Sequence, residues 1–178
     1  MKTIYLILCL SLFFMACQPK VDNTADELFN KNSETVLANI KGFEDENQDY
    51  SMYADNAILL DTGVGAKDSL SLDDVKKNDK MLWETYDFKL ITDPLVLLPG
   101  VNPDTKKPDG SVRYYGEWEV TLPATDSTEA KSAVMKYYES LDFNEEGKII
   151  LQQGYGDFGG LFTALHSDDA DKSSMMEE

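Results

Sequence analysis

The sequence predicts an α+β domain in which helices pack on one face of a curved sheet. Apolar residues in the first half recur at helical spacing, whereas those in the second half alternate with polar residues as in strands. The clearest signal is a β-hairpin: two alternating runs, Ala133–Phe143 and Lys148–Tyr155, flank a polar turn that ends at Gly147. Helices that come first and strands that come last are typical of this class.

Residues 1–16 are predicted to be a signal peptide rather than part of the fold. Lys2 precedes the apolar run Ile4–Met15, which is too short to span a bilayer because a spanning helix needs about 20 residues. The residues before Cys17 resemble a bacterial lipoprotein cleavage box, which implies that acyl chains such as palmitate are attached to Cys17. An ordinary secretory peptide cut near Ala16 is the alternative. With the lipid anchor, we expect residues 17–25 to be a tether in the cell envelope, on the periplasmic side or at the cell surface.

The charge and cysteine content exclude several classes of protein. The chain has 33 acidic and 16 basic side chains and a net charge of −17, which argues against binding nucleic acid or an anionic membrane surface. A lipid anchor would then be the chain's only attachment to the membrane. Its two cysteines, Cys9 and Cys17, both precede the folded region, so we expect no disulfide and no thiol nucleophile in the domain. With one histidine, His166, no multi-histidine metal site and no cofactor are predicted.

Two long helices and one short helical turn are predicted in the first half. The first helix starts at Ala25 and carries apolar residues near 3.6-residue spacing as far as Phe43. A short turn is expected at Tyr50–Tyr53. Ser71 and Asp74 form a capping-box pattern that begins a helix reaching about Tyr86. One side of that helix is predicted to carry Leu72, Val75, Asp79, Leu82 and Trp83.

Five strands are predicted, mostly as antiparallel hairpins. They are separated by glycine- or proline-containing loops, the longest at Gly100–Ser111, and Pro94 marks a bulge or an edge position. A short helix follows the last strand, and residues 167–178 are expected to be a disordered acidic tail. The predicted strands are Asn56–Asp61, Phe88–Leu98, Val112–Leu122, Ala133–Phe143 and Lys148–Tyr155.

Three short motifs resemble those of the nuclear transport factor 2-like fold, in its SnoaL-like and ketosteroid-isomerase branch. Tyr53–Ala57 looks like the family's entry to the first strand, Phe143–Ile149 like its hairpin turn, and Tyr155–Asp157 like the end of its last strand. The resemblance covers Glu34–Leu165 and implies a cone-shaped domain, residues 26–166, whose open mouth admits a small apolar ligand. Such motifs are specific to the fold and say little about function, because the fold hosts enzymes and non-enzymes.

Glu139 is the first candidate for chemistry. It shares one strand face with large apolar residues, and burial of a carboxyl group without a partner raises its pKa. The resemblance places it at the position of the family's protonated acid, which donates a hydrogen bond to an oxyanion. A place in a dimer interface and a surface pair with Lys136 are the alternatives.

Asp61 is the second candidate, because the resemblance places it at the position of the family's general base. Asp61 and Glu139 facing one cavity would suit proton abstraction next to a carbonyl, as in an isomerase or cyclase. Capping of a turn is the alternative for Asp61. The family's oxyanion tyrosine lies on the first helix, where this chain has Val36–Leu37. A tyrosine from elsewhere in the chain would have to replace it, and the candidates are Tyr53, Tyr114, Tyr137 and Tyr155.

The sequence leaves three functions open: a binding domain for a small apolar ligand, an isomerase or cyclase, and a scaffold that forms a homodimer through the sheet. Asp157 is expected either at the pocket or as a helix N-cap. The glycines at 154, 156 and 159 fit a dinucleotide-binding pattern but lack its following parallel strand. Besides Glu139, the predicted pocket residues are Tyr53, Trp83, Tyr114, Trp118, Tyr137, Gln153, Tyr155 and Asp157.

Overall fold

The computed structural model describes residues 24–60, 62, 63, 65–67 and 69–167. Within these ranges the chain forms three α-helices, one short 3₁₀ turn (Tyr50–Met52) and six strands. The helices are α1 (Thr24–Glu44), α2 (Leu72–Trp83) and α3 (Phe158–His166). The strands are β1 (Tyr53–Leu60), β2 (Asp87–Leu90), β3 (Leu97–Val101), β4 (Pro108–Leu122), β5 (Lys131–Phe143) and β6 (Ile149–Gly156).

The helices begin where the sequence supplies capping groups. In α2, the Ser71 hydroxyl accepts from the Asp74 backbone N–H and the Asp74 carboxylate accepts from the Ser71 N–H, which completes the predicted capping box. In α3, Asp157 is the N-cap and accepts from the Gly160 N–H at 2.8 Å. No described helix has the length and apolarity needed to cross a membrane.

The sheet has the strand order β1-β6-β5-β4-β2, with β3 also paired to β4. It is curved and unclosed, which confirms the predicted α+β class and its cone-like form. One strand pair departs from the predicted antiparallel sheet, because β1 runs parallel to β6. The sheet is therefore mixed, with the parallel pair at the β1 edge.

The predicted strand Phe88–Leu98 is two strands, β2 and β3, that pair with different parts of β4. The connection between them contains Pro94, which has no N–H to donate to a sheet ladder. At its start the Ile91 N–H donates to the Glu117 carbonyl, and the Glu117 N–H donates to the Thr92 hydroxyl. The predicted loop after β3 is shorter than expected, because β4 already begins at Pro108.

The core lies between α1 and the inner face of the sheet. Val36 and Ile40 of α1 pack against inward residues of β4 and β5, such as Val112 and Leu141. Helix α3 adds Leu161 and Leu165 to the same core. By contrast, α2 has no fully buried residue. A cavity therefore remains between α2 and the inner face of the sheet.

Candidate functional site

A cavity of about 430 Å³ lies between the inner face of the sheet and the three helices. Its volume falls in the range of small-molecule sites, roughly 300–1,000 Å³. Its wall is mainly apolar and includes Ile40, Phe43, Leu59, Phe88, Met135 and Phe162. Polar groups enter it at a few places, and two of them are carboxyl groups.

Glu139 of β5 is the more deeply buried of the two carboxyl groups, with only 4% of its surface exposed. Its Oε1 oxygen accepts hydrogen bonds from Gln152 Nε2 at 2.6 Å and from the Tyr137 hydroxyl at 3.2 Å. Loss of solvation raises the pKa of Glu139, while hydrogen bonds from Gln152, Tyr114 and Tyr137 act in the opposite direction. Desolvation outweighs these donors, so the pKa of Glu139 is above its ordinary value.

Gln152 joins Glu139 to a longer chain of hydrogen bonds. The Tyr53 hydroxyl donates to Gln152 Oε1 at 2.6 Å and accepts from Asn39 Nδ2 at 2.8 Å. This chain connects α1, β1, β6 and β5 across the base of the cavity. Burial raises the pKa of the Tyr53 hydroxyl, so it stays protonated and acts as a donor near neutral pH.

Gly154 makes room for the ring that reaches Glu139. It lies directly opposite Glu139 in the sheet. A Cβ atom at this position would lie 1.9 Å from the Tyr137 hydroxyl oxygen, so any larger residue would displace the ring. The absence of a side chain at 154 is thus needed for the observed Tyr137 position.

Asp79 of α2 is the second carboxyl group that lines the cavity. Its Oδ2 oxygen accepts from the Tyr50 hydroxyl at 2.8 Å. Burial raises its pKa to about 6, and the hydrogen bond from Tyr50 only partly opposes this shift. Asp79 therefore changes its charge between pH 5 and pH 7.

Trp118 of β4 contributes a largely buried indole ring to the cavity wall. The residue is only 6% exposed, and its Nε1 has no hydrogen-bond partner among the described residues. The neighbouring Tyr114 hydroxyl interacts with this side chain, because Trp118 acts to lower the pKa of Tyr114 against the larger effect of burial. The Nε1 atom itself is fully buried, so it is enclosed by protein atoms rather than exposed to the cavity.

Five residues predicted for the site line this one cavity: Tyr53, Tyr114, Trp118, Tyr137 and Glu139. The alternative surface pair between Glu139 and Lys136 is absent from the described contacts. Lys136 lies on the exposed face of β5, opposite Glu117 of β4.

Gln153 and Tyr155 were expected in the pocket but lie on the outer face of the sheet. The reason is a β-bulge at Ile150, where Phe143 pairs with Ile149 but Asp142 pairs with Leu151. One extra residue in β6 reverses which side chains face inward beyond that point. Gln152 and Gly154 consequently take the inward positions that a regular hairpin would give to Leu151 and Gln153.

Trp83 is also placed differently from the prediction, whereas Asp157 takes one of its two predicted places. Trp83 packs its ring against Phe43, with 5.5 Å between the ring centroids, but does not line the cavity. Asp157 caps α3, as its alternative interpretation predicted. Asp61, Cys17, the signal peptide, most of the tether and residues 168–178 lie outside the described residues.

Sequence reasoning missed Asp79, Gln152 and Asn39. For Asp79 a signal existed: an acidic residue stands on the same side of α2 as Val75 and Leu82, both of which line the cavity. An acid within an apolar helix face is unusual and marks a candidate functional group. Gln152 had no such signal, because its orientation depends on the bulge.

The outer face of the sheet carries a row of tyrosines. The Tyr138 ring lies between those of Tyr115 and Tyr155, with centroid distances of 4.8 and 6.2 Å. Tyr115 is 65% exposed.

Across the described residues, no group of three or more histidine, cysteine or acidic side chains is arranged to hold a metal ion.

Comparison with solved structures identifies the fold. No protein-family model and no curated protein matches this chain. A candidate polyketide cyclase from Xanthomonas campestris pv. campestris superposes with a TM-score of 0.59 at 14% identity, over 78% of this chain and 98% of that one. A candidate SnoaL-like polyketide cyclase from Shewanella denitrificans gives 0.55 at 13% identity, over 77% and 98%.

Another similar structure is named for a different activity. An LEH-like epoxide hydrolase from M. tuberculosis gives a TM-score of 0.50 at 12% identity, over 76% of this chain and 90% of that one. At such identities the likeness establishes the fold, which is the SnoaL-like, nuclear transport factor 2-like cone. Activity has to be argued from the cavity itself.

We predict that Asp79→Asn changes how stability depends on pH. Because the folded-state pKa of about 6 lies above the ordinary value of 3.8, protonated Asp79 favours the folded state. This contribution is complete below pH 3.8 and is lost as the pH rises through 6. The free energy of unfolding of the wild type should therefore fall by about 1 kcal/mol relative to Asp79→Asn between pH 5 and pH 7.5.

Urea denaturation at the two pH values measures this difference. Asp73→Asn is the matched control, since Asp73 lies on the same helix and its side chain is 83% exposed. A difference between wild type and Asp79→Asn that does not vary with pH would contradict the assignment.

Proposed function

We propose that this chain is a lipid-anchored cell-envelope protein whose SnoaL-like domain binds a small apolar ligand in the cavity around Glu139. The observation that carries the proposal is an apolar cavity of about 430 Å³ with a few polar groups at its base. Ligand sites are typically concave and apolar, with a small number of oriented polar groups.

The polar groups at the base are held in place before any ligand arrives. Tyr53, Gln152 and Glu139 are linked by hydrogen bonds of 2.6 Å, and each comes from a different strand. Groups held in this way lose little conformational freedom when a ligand binds. Their positions support recognition of an oriented ligand rather than a nonspecific apolar surface.

Binding can be tested with the neutral fluorescent probe N-phenyl-1-naphthylamine, whose fluorescence rises in apolar surroundings. We expect saturable binding by the purified protein. Val75→Trp should weaken it by at least about tenfold, because an indole at this lining position occupies the cavity. Val96→Trp is the control, since Val96 is 62% exposed and does not line the cavity.

Equal binding by wild type, Val75→Trp and Val96→Trp would contradict the proposed site. So would an experimental structure in which the protein's own side chains fill the cavity. A circular dichroism spectrum of each variant checks that the fold is retained.

The anchor is proposed from Cys17 and the apolar segment before it. Mass spectrometry of the membrane fraction should find an acylated Cys17 at the N-terminus of the mature chain. Cys17→Ser should leave either unprocessed precursor or protein released from the membrane. A mature chain that begins at another residue and carries no lipid would contradict this part of the proposal.

An isomerase or cyclase is the second candidate, favoured by the raised pKa of Glu139, which suits a neutral hydrogen-bond donor. Its proposed base, Asp61, lies outside the described residues. Indistinguishable turnover of a β,γ-unsaturated ketone by wild type and Asp61→Ala would argue against it. A homodimer through the sheet also stays a prediction, and a monomer in analytical ultracentrifugation at high concentration would remove it.

A further inference from the structure

The charge of the cavity lining indicates which charge a ligand should carry. Of its described lining residues, Asp79 and Glu139 are acidic and none is lysine, arginine or histidine. Outside the lining, Lys76 of the same helix as Asp79 lies over the Tyr50 ring, 5.5 Å from its centroid, and pairs with Asp73. A ligand entering this cavity therefore meets negative charge that no described lining residue neutralises.

One of the two carboxylate oxygens of Asp79 accepts no hydrogen bond from the described residues. Its Oδ2 oxygen accepts from Tyr50, while no described residue donates to Oδ1. A carboxylate that is largely removed from water and has one hydrogen bond is costly unless a further donor or a positive charge compensates it. An ammonium group supplies both.

The rest of the wall suits the same kind of ligand. Aromatic rings such as those of Phe43, Tyr114 and Trp118 line the cavity. The faces of aromatic rings attract cations, and the attraction is strongest where water is excluded. The net charge of −17 on the whole chain also raises the local concentration of cations near the mouth.

We propose that the cavity binds an apolar primary amine as its ammonium ion, with the ammonium group on Asp79 and the apolar body against the aromatic wall. This inference rests on the proposed binding function and adds the charge and class of the ligand. It assigns Asp79 as the residue that determines specificity.

The groups that face Asp79 determine how binding depends on pH. They are the Tyr50 hydroxyl beside it and, across the cavity, Tyr53, Tyr137 and Glu139, which interact with it electrostatically. The three tyrosines keep their protons near neutral pH, because burial raises their pKa values. Ionisation of Asp79 near pH 6 therefore changes the charge of the cavity between pH 5 and pH 7.5. Glu139, whose pKa is also raised by burial, is the other acidic group that faces Asp79.

Three probes of nearly equal size separate charge from shape: 4-phenylbutylamine, 4-phenylbutan-1-ol and 4-phenylbutyrate. Calorimetric titration of the purified protein in 150 mM salt at pH 7.5 should give the tightest binding for the amine, by about tenfold over the alcohol, and the weakest for the carboxylate. Amine affinity should fall by about tenfold at pH 5, where Asp79 is mostly protonated. Affinity for the alcohol should change little.

Asp79→Asn should remove the preference for the amine over the alcohol, whereas Asp73→Asn, with the same change in net charge, should keep it. Equal affinity for amine and alcohol, or an amine preference that survives Asp79→Asn, would overturn the inference. Absence of amine binding would overturn it too. The naphthylamine probe, which is uncharged at pH 7.5, then shows separately whether the cavity binds apolar molecules at all.

Discussion

A carboxyl group in the middle of an apolar sheet face is the constraint on which the rest of this site depends. Glu139 loses most of its hydration, and a buried polar group is tolerated only where hydrogen bonds replace the lost water. Gln152 and Tyr137 supply those bonds, and Tyr53 and Asn39 hold Gln152 in position. Four secondary-structure elements are thereby tied together at the base of the cavity.

The hydrogen-bonded sheet side of the cavity is packed more tightly than the side that is covered by α2. Below, Tyr114, Leu141 and Val112 are almost completely buried. Above, α2 has no fully buried residue and includes Met81, which is 60% exposed. Regions with few buried contacts open most easily. Because α2 has few such contacts and the opposite wall of the cavity is held by hydrogen bonds, we expect a ligand to enter the cavity on the α2 side.

The fold could be predicted because its signals are local. The capping box at Ser71, the alternation along β4 and the hairpin turn at Gly147 each correspond to an observed element. The inward orientation of Glu139 followed from alternation along β5 alone. The division of the predicted strand Phe88–Leu98 did not, because only the pairing with β4 shows where one strand ends and the next begins.

The composition of the site was harder to predict, for two physical reasons. The bulge at Ile150 changes which residues of β6 face the inside of the sheet. No residue type in that strand requires a bulge, so the sequence predicts an inward Gln153, whereas Gln152 faces inward in the structure. Asp79 was visible on the apolar side of α2, but its importance depends on Tyr50, which is 29 positions away in the chain. Contacts of this kind depend on tertiary packing.

The most direct test of this account is the protonation of Glu139 in the folded protein. Carboxyl ¹³C chemical shifts of labelled glutamates can be followed against pH, with the Glu139 signal assigned by its absence in Glu139→Gln. We expect a midpoint above the ordinary value of 4.5, because desolvation outweighs the hydrogen bonds that favour the ionised form. A midpoint at or below 4.5 would mean that Glu139 is well solvated or paired with a positive charge, and would contradict the apolar cavity that the account places around it.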